Sequence, residues 1–173
     1  MSKKYYITGV SGTGKSTLTE EFKKRGLNAV DLDDGFCAWK NIKTGEVSNV
    51  LDKDAEDFYD KNDWYYDLEK LLSFLDKQKD TLYVFGASAN QDEFLHLFDK
   101  IFLLTCDPKT FCARIDSRTN NAYGKRPSEK ENELRWFEEF NVLMIKRGAI
   151  VIDTENPIEN VVEDIVSKSK TFN

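Results

Sequence analysis

Arginine is absent from the whole interval between Arg25 and Arg114. No bidentate guanidinium clamp for a phosphate-bearing ligand can come from that interval, and an acceptor phosphate would rely on Lys40, Lys43, Lys53 or an arginine from elsewhere. Cysteine is equally sparse. Cys37, Cys106 and Cys112 are odd in number and lack C-x-x-C spacing, so neither a disulfide framework nor a zinc site is indicated. The single histidine, His96, has no metal-ligand spacing and reads as structural. No apolar run approaches the length of a membrane span, and Met1-Ser2-Lys3-Lys4 leads into a strand without an apolar signal segment. The expectation is a soluble, reduced, cytoplasmic protein without a membrane partner. The 25 basic residues form no block and are outnumbered by 31 acidic ones, for a net charge of −6. That balance argues against nucleic acid as the main partner. No internal repeat or low-complexity linker divides the 173 residues, a length that suits one domain spanning 1–173.

Against these absences stands one dense motif. Gly9-Val10-Ser11-Gly12-Thr13-Gly14-Lys15-Ser16 fits G-x-x-x-x-G-K-[ST] at every fixed position and follows the apolar run Tyr5-Tyr6-Ile7. Gly9, Gly12 and Gly14 let successive N–H groups turn inward at a helix start, with Thr13 in the same loop, forming a concave anion site. Lys15 brings a compact positive charge to the β- and γ-phosphates, and Ser16 a hydroxyl for Mg²⁺. A Gly/Ser-rich turn without function is the plainer alternative, but the context of strand before and helix after favours a nucleoside triphosphate site.

The remaining pattern alternates. Strands are predicted at Lys4–Thr8, Asn28–Leu32, Thr81–Phe85, Lys100–Thr105 and Ala149–Ile152. Helices are predicted over Ser16–Arg25, Asn62–Lys79, Asn90–Phe98, Asp107 to about Thr119, Ser128–Arg147 and from Asn156 onward, with a short one at Asp54–Asp60. Gly35–Lys53 has no clear period and reads as a long loop or small insertion. Asn120–Pro127 reads as a polar connection, with Tyr123-Gly124-Lys125-Arg126-Pro127 able to close as a lid. Strand–helix alternation implies a three-layer α/β doubly wound sheet of five parallel strands, with ligands at the strand C-terminal ends.

At those ends lie the candidates for chemistry. Asp31 and Asp33 follow the second strand, two apart and so expected on one side. The third strand ends in Gly86 and supplies no carboxylate, which leaves Asp31 for the metal side and Asp33 for an acceptor hydroxyl. A solvated acidic turn is the alternative, with Asp34 the bystander. Arg114 and Arg118, spaced i, i+4, share a helix face suited to an adenine ring and to transferring phosphate charge, or else form a solvated basic face. Ser88, Asn90 and Gln91 are placed to hydrogen-bond a polar acceptor, although Asn90 serves equally well as a helix cap. Phe36 and Trp39 could stack on a ring or belong to a satellite core.

The loop, the Asp-x-Asp pair, Arg114-x-x-x-Arg118 before a lid and the strand–Asn156-Pro157–helix finish resemble the nucleoside monophosphate kinase and shikimate kinase group of P-loop kinases. The resemblance covers essentially the whole chain. It implies a P-loop NTPase fold with strand order 2-3-1-4-5, an acceptor-binding insertion at about 34–62 and a lid at about 119–128. It also implies ATP–Mg²⁺ on Gly12, Gly14, Lys15, Ser16 and Thr17, Arg114 near adenine, Arg118 near the transferring phosphate, and Thr154 to Pro157, Asn156 among them, near the base. Asp33 resembles the acceptor-side carboxylate of shikimate kinases and Asp31 its metal-side partner. Those kinases carry a Gly-Gly-Gly stretch and an acceptor-binding arginine; here Gly86-Ala87-Ser88 stands instead, and the arginine is missing. The expected activity is transfer of the γ-phosphoryl of ATP to a small-molecule hydroxyl. A nucleoside monophosphate acceptor is the alternative, as is an ATPase or nucleotide switch acting on a protein.

Overall fold

The computed structural model describes residues 2–49, 57–117 and 127–171, with the backbone alone at 127–129 and 132. The elements in order are β1 (Lys4–Thr8), α1 (Lys15–Lys24), β2 (Ala29–Asp31), β3 (Cys37–Asn41), α2 (Phe58–Lys61), β4 (Asn62–Tyr66), α3 (Leu68–Asp76), β5 (Leu82–Phe85), β6 (Lys100–Thr105), α4 (Pro108–Ser117), α5 (Pro127–Lys146), β7 (Ile150–Asp153) and α6 (Ile158–Lys170).

Five strands form one parallel sheet in the order β2-β5-β1-β6-β7. Counting the strands of this sheet alone, that is the order 2-3-1-4-5. Its inner strands are apolar almost throughout because helices cover both faces. Strand alternation divides the core in two. Tyr5, Ile7, Tyr83, Phe85, Phe102 and Leu104 face the layer that holds Leu18 and Phe22 of α1 and Val161, Val162 and Ile165 of α6. Tyr6, Val84 and Leu103 face Leu71 and Leu75 of α3, Phe111 and Ile115 of α4, and Phe137, Phe140 and Met144 of α5. The result is the expected three-layer sandwich, with every βα loop of the sheet at one edge.

Three elements differ from the sequence expectation. The helix expected over Asn62–Lys79 is divided: β4 occupies its first five residues, and α3 starts only after Asp67. Trp64-Tyr65-Tyr66 favours strand, and the Asp67 carboxylate accepts from Lys70 N at 3.0 Å, capping a helix that begins there. The Gly35–Lys53 loop contains β3, which pairs antiparallel with β4, Trp39 opposite Trp64 and Cys37 opposite Tyr66. The helix expected from Asn90 is two short 3₁₀ turns, Gln91–Glu93 and Leu95–Leu97. Asn90 makes no side-chain cap there because its amide is committed elsewhere, as described below. The short helix expected at Asp54–Asp60 is represented by α2; residues 50–56 lie outside the described residues.

Candidate active site

The loop between β1 and α1 is built on close approach. A Cβ on Gly9 would stand 2.5 Å from Thr13 Oγ1 and 2.8 Å from the Leu104 carbonyl oxygen, so only glycine fits. Thr13 is buried and its hydroxyl donates to Val10 O at 2.8 Å, closing the loop on itself. Gly14 caps α1 in the left-handed region, at φ 101°, with no side-chain cap. The first helical bond runs from Leu18 N to Gly14 O at 3.0 Å. The N–H groups of Lys15, Ser16 and Thr17 thus open α1 without an intrahelical acceptor, which is the donor set an anionic phosphate chain requires. Lys15 Nζ donates to Gly9 O at 2.5 Å and to Val10 O at 3.2 Å, which folds its ammonium over the same loop. Burial pushes the Lys15 ammonium below its ordinary pKa of 10.5, while the carboxylates of Asp33 and Asp31 pull it back up. A phosphate chain would restore the favour of the charged form.

Asp31 closes β2 and is 8% exposed. Its Oδ1 accepts from Asp33 N at 3.0 Å, so the chain turns at once and Asp33 leaves the strand. The expected two-residue alternation therefore does not apply, because Asp33 belongs to the turn rather than to β2. The Asp31 carboxyl is held above its ordinary pKa of 3.8, first by burial and further by Asp33 and Asp34, against the hydrogen bond from Asp33 N and the pull of Lys15. The Asp31 carboxylate and the exposed Ser16 hydroxyl are both hard-oxygen groups of the kind Mg²⁺ takes as ligands. Among the described residues no cluster of three His, Cys, Asp or Glu could hold a metal. Mg²⁺ completed by phosphate oxygens and water needs none.

That raised pKa carries a prediction. The folded state holds the Asp31 proton more tightly than the unfolded chain does. Its stabilising contribution is complete below the unfolded value near 3.8 and is lost as pH rises through the raised folded value. Asp31→Asn is therefore expected to raise Tm at neutral pH without Mg²⁺, by about 2–4 °C for each kcal/mol regained, and to lose that advantage below the unfolded value. Thermal melts across pH check this; an equal gain at every pH would show that the carboxyl charge is not its source.

Asp33 is met from the far side by β4. Trp64 Nε1 donates to Asp33 Oδ1 at 2.9 Å, and Tyr66 Oη donates to the same oxygen at 2.8 Å. Tyr66 is 1% exposed, and its hydroxyl accepts from Ala87 N at 2.9 Å. Burial pushes the Tyr66 phenol far above its ordinary pKa, so it stays a donor. Gly86 provides the room: a Cβ there would stand 2.3 Å from Tyr66 Oη and 3.0 Å from Cζ. Gly86→Ala is expected to cost about 1–3 kcal/mol through overpacking, read as a fall in Tm. A melt superimposable on wild type would show that Tyr66 yields freely.

Ser88 and Asn90, expected to bond an acceptor, hold β4 instead. Asn90 Oδ1 accepts from Tyr66 N and from Ser88 Oγ, both at 3.0 Å, and its Nδ2 donates to Tyr66 O at 3.0 Å. Both side chains are buried, and these hydrogen bonds run to β4 and to each other. Gln91 is likewise buried, donating to Met144 Sδ at 3.4 Å. Phe36 packs on Phe74, while Trp39 meets Trp64, Phe58 and Tyr59 at centroid distances of 5.1–5.5 Å. Arg114 of α4 donates through Nη1 to Thr154 Oγ1 at 2.8 Å and through Nη2 to Thr154 O at 2.7 Å. This joins Arg114 to the segment after β7, where the Asn156 amide donates to Asp153 Oδ2 at 3.3 Å. Arg118 and most of the lid segment lie outside the described residues. Sequence reasoning missed Trp64 and Tyr66, whose signal was period-2 spacing within an aromatic run.

A glycine loop between a strand and a helix, at the open edge of a parallel sheet in this order, defines a P-loop fold. Solved structures agree. The chain is similar to a shikimate kinase from Bacteroides thetaiotaomicron (16% identity, TM-score 0.60, covering 98% of this chain and 99% of that one). It is also similar to a deoxyadenosine kinase from M. mycoides solved with bound dATP (19%, 0.54, 97% and 100%). A gluconokinase from Sinorhizobium meliloti 1021 is similar as well (16%, 0.55, 96% and 91%). At these identities the likeness is one of fold. No curated protein matches the sequence. A family model described as an AAA domain matches residues 6–136, and the chain belongs to that family. No helix among the described residues is long and apolar enough to cross a membrane.

Proposed function

We propose that this protein is an ATP-dependent phosphotransferase that moves the γ-phosphoryl of ATP–Mg²⁺ to a hydroxyl of a small acceptor. The observation that carries the reading is Asp33: a carboxylate within electrostatic reach of Lys15, anchored through one oxygen by two neutral donors. Gly9, Gly12, Thr13 and Gly14 shape the phosphate cradle, and the N–H groups of Lys15, Ser16 and Thr17 line it. Ser16 and Asp31 would hold Mg²⁺, which would supply charge neutralisation to the phosphates when bound. Asp33 accepts the acceptor's proton as its oxygen bonds to the γ-phosphorus and the bond to the β,γ-bridging oxygen breaks, releasing ADP. Lys15, with Arg118, stabilises the charge on the moving phosphoryl. Arg114 and the Thr154–Asn156 segment form the adenine side. Residues about 34–62, extended by β4, form the acceptor-binding insertion, and about 119–128 the lid.

The lysines favour a hydroxyl over a nucleoside monophosphate. Lys40 lies over the Tyr65 ring, Lys70 is bonded to Gly35 O beside the Phe36 ring, and Lys43 sits exposed in the β3 turn. None of these three serves as a phosphate clamp in these positions, and Lys53 lies outside the described residues. A second reading is an ATPase or nucleotide switch that acts on a protein partner. The deciding experiment measures ADP release from ATP–Mg²⁺ against nucleosides, nucleoside monophosphates, small sugars and hydroxy acids, with product mass. A phosphorylated hydroxyl supports the proposal, a nucleoside diphosphate favours the monophosphate kinase, and ADP with no phosphorylated acceptor favours the ATPase.

A further inference from the structure

The two donors on Asp33 share one oxygen. A carboxylate oxygen offers two lone pairs, and on Oδ1 Trp64 Nε1 at 2.9 Å and Tyr66 Oη at 2.8 Å fill both. Among the described residues, Oδ2 receives no hydrogen bond. Both donors are rigid rings two residues apart on β4, where alternation turns them to one face. Their strand is held from three directions. β3 pairs along it, Asn90 bonds the Tyr66 backbone on both sides, and Ala89 N donates to Trp64 O at 2.8 Å. Ala87 N fixes the Tyr66 hydroxyl as an acceptor, which directs its single proton to Asp33.

We infer that Trp64 and Tyr66 are the positioning residues of the acceptor-side carboxylate, saturating Oδ1 so that Oδ2 alone is presented to the acceptor hydroxyl. The inference rests on the kinase reading above and adds to it the means by which a carboxylate in a turn, free of its strand, is held in one rotamer. Such orientation matters because acceptor oxygen and phosphorus must meet in line. It also has a chemical consequence. Both anchors are neutral donors, so neither forms an ion pair with Asp33, and Lys15 acts on it only at a distance.

The test combines kinetics with a signal independent of turnover. Tyr66→Phe and Trp64→Phe are each expected to lower kcat about 10- to 100-fold, the range for removing a partner that orients a functional group, with KM for ATP unchanged. In an Asp33→Ala background, Tyr66→Phe should cause no further loss, because its effect passes through Asp33. The indole N–H resonance of Trp64, assigned among the three tryptophans by its loss in Trp64→Phe, should move upfield in Asp33→Ala. A Tyr66→Phe loss of equal size with and without Asp33, a parallel rise in KM for ATP, or an unmoved Trp64 resonance overturns the inference. A wild-type protein that phosphorylates nothing defeats the kinase reading, whereas the resonance decides the Trp64–Asp33 bond by itself.

Discussion

Lys15→Ala is expected to abolish phosphoryl transfer and leave the fold standing. The ammonium is the one side-chain cation bonded over the loop among the described residues, through Gly9 O and Val10 O. A preorganised charge aimed at developing phosphate charge contributes to the transition state far more than to the ground state. The loss in kcat is expected to be at least about 10²–10³-fold, the range for removing one preorganised group at such a centre. Stability should hold or rise, because burial already disfavours this ammonium and alanine removes the cost. Steady-state ADP release and a thermal melt on the same sample check both halves. Wild-type turnover with an intact melt would remove the loop from the mechanism.

Asp33→Asn is the second large effect, and its direction follows from the two donors. In the variant, Trp64 Nε1 and Tyr66 Oη still require an acceptor, so the amide oxygen takes the place of Oδ1. The amide NH₂ is thereby directed to the position of Oδ2, placing a donor where the acceptor hydroxyl needs a proton acceptor. The fold is kept and the chemistry is not. A loss of about 10²–10⁴-fold in kcat is expected, the range of general-base contributions, with ATP affinity nearly unchanged. Titration of ATP beside single-turnover transfer separates the two. Collapse of ATP binding with residual turnover unaffected would move Asp33 to the metal side and reverse its role with Asp31.

The same pair of residues shows where sequence and structure part. Walker-type spacing made Gly9 to Ser16 legible, because the glycines, Lys15 and Ser16 are local requirements: a turn, a charge and a helix start within eight positions. The parallel sheet was equally legible, since strands buried on both faces must be apolar at both alternations, as Tyr5-Tyr6-Ile7 and Leu82–Phe85 are. Asp31 and Asp33 were singled out through their place at the end of a strand. The strand of Trp64 and Tyr66 was not. Leu68, Leu71 and Leu75 of α3 continue a helical period through Trp64, and only the Asp67 cap marks the break.

Ser88 and Asn90 err in the opposite direction. As polar residues beyond a strand end they suggest ligand contacts, but a neighbouring edge strand needed their hydrogen bonds, and buried amides are satisfied first by what lies beside them. By itself the sequence determined the phosphate loop, the layered sheet and the pair of carboxylates, since each depends on residues adjacent in the chain. Only the tertiary structure decided which oxygen of Asp33 is held, that Gly86 exists to admit the Tyr66 phenol, and that Arg114 grips Thr154. Those contacts join residues 20 to 40 positions apart, and nothing in local periodicity or propensity encodes which side chains meet across that distance.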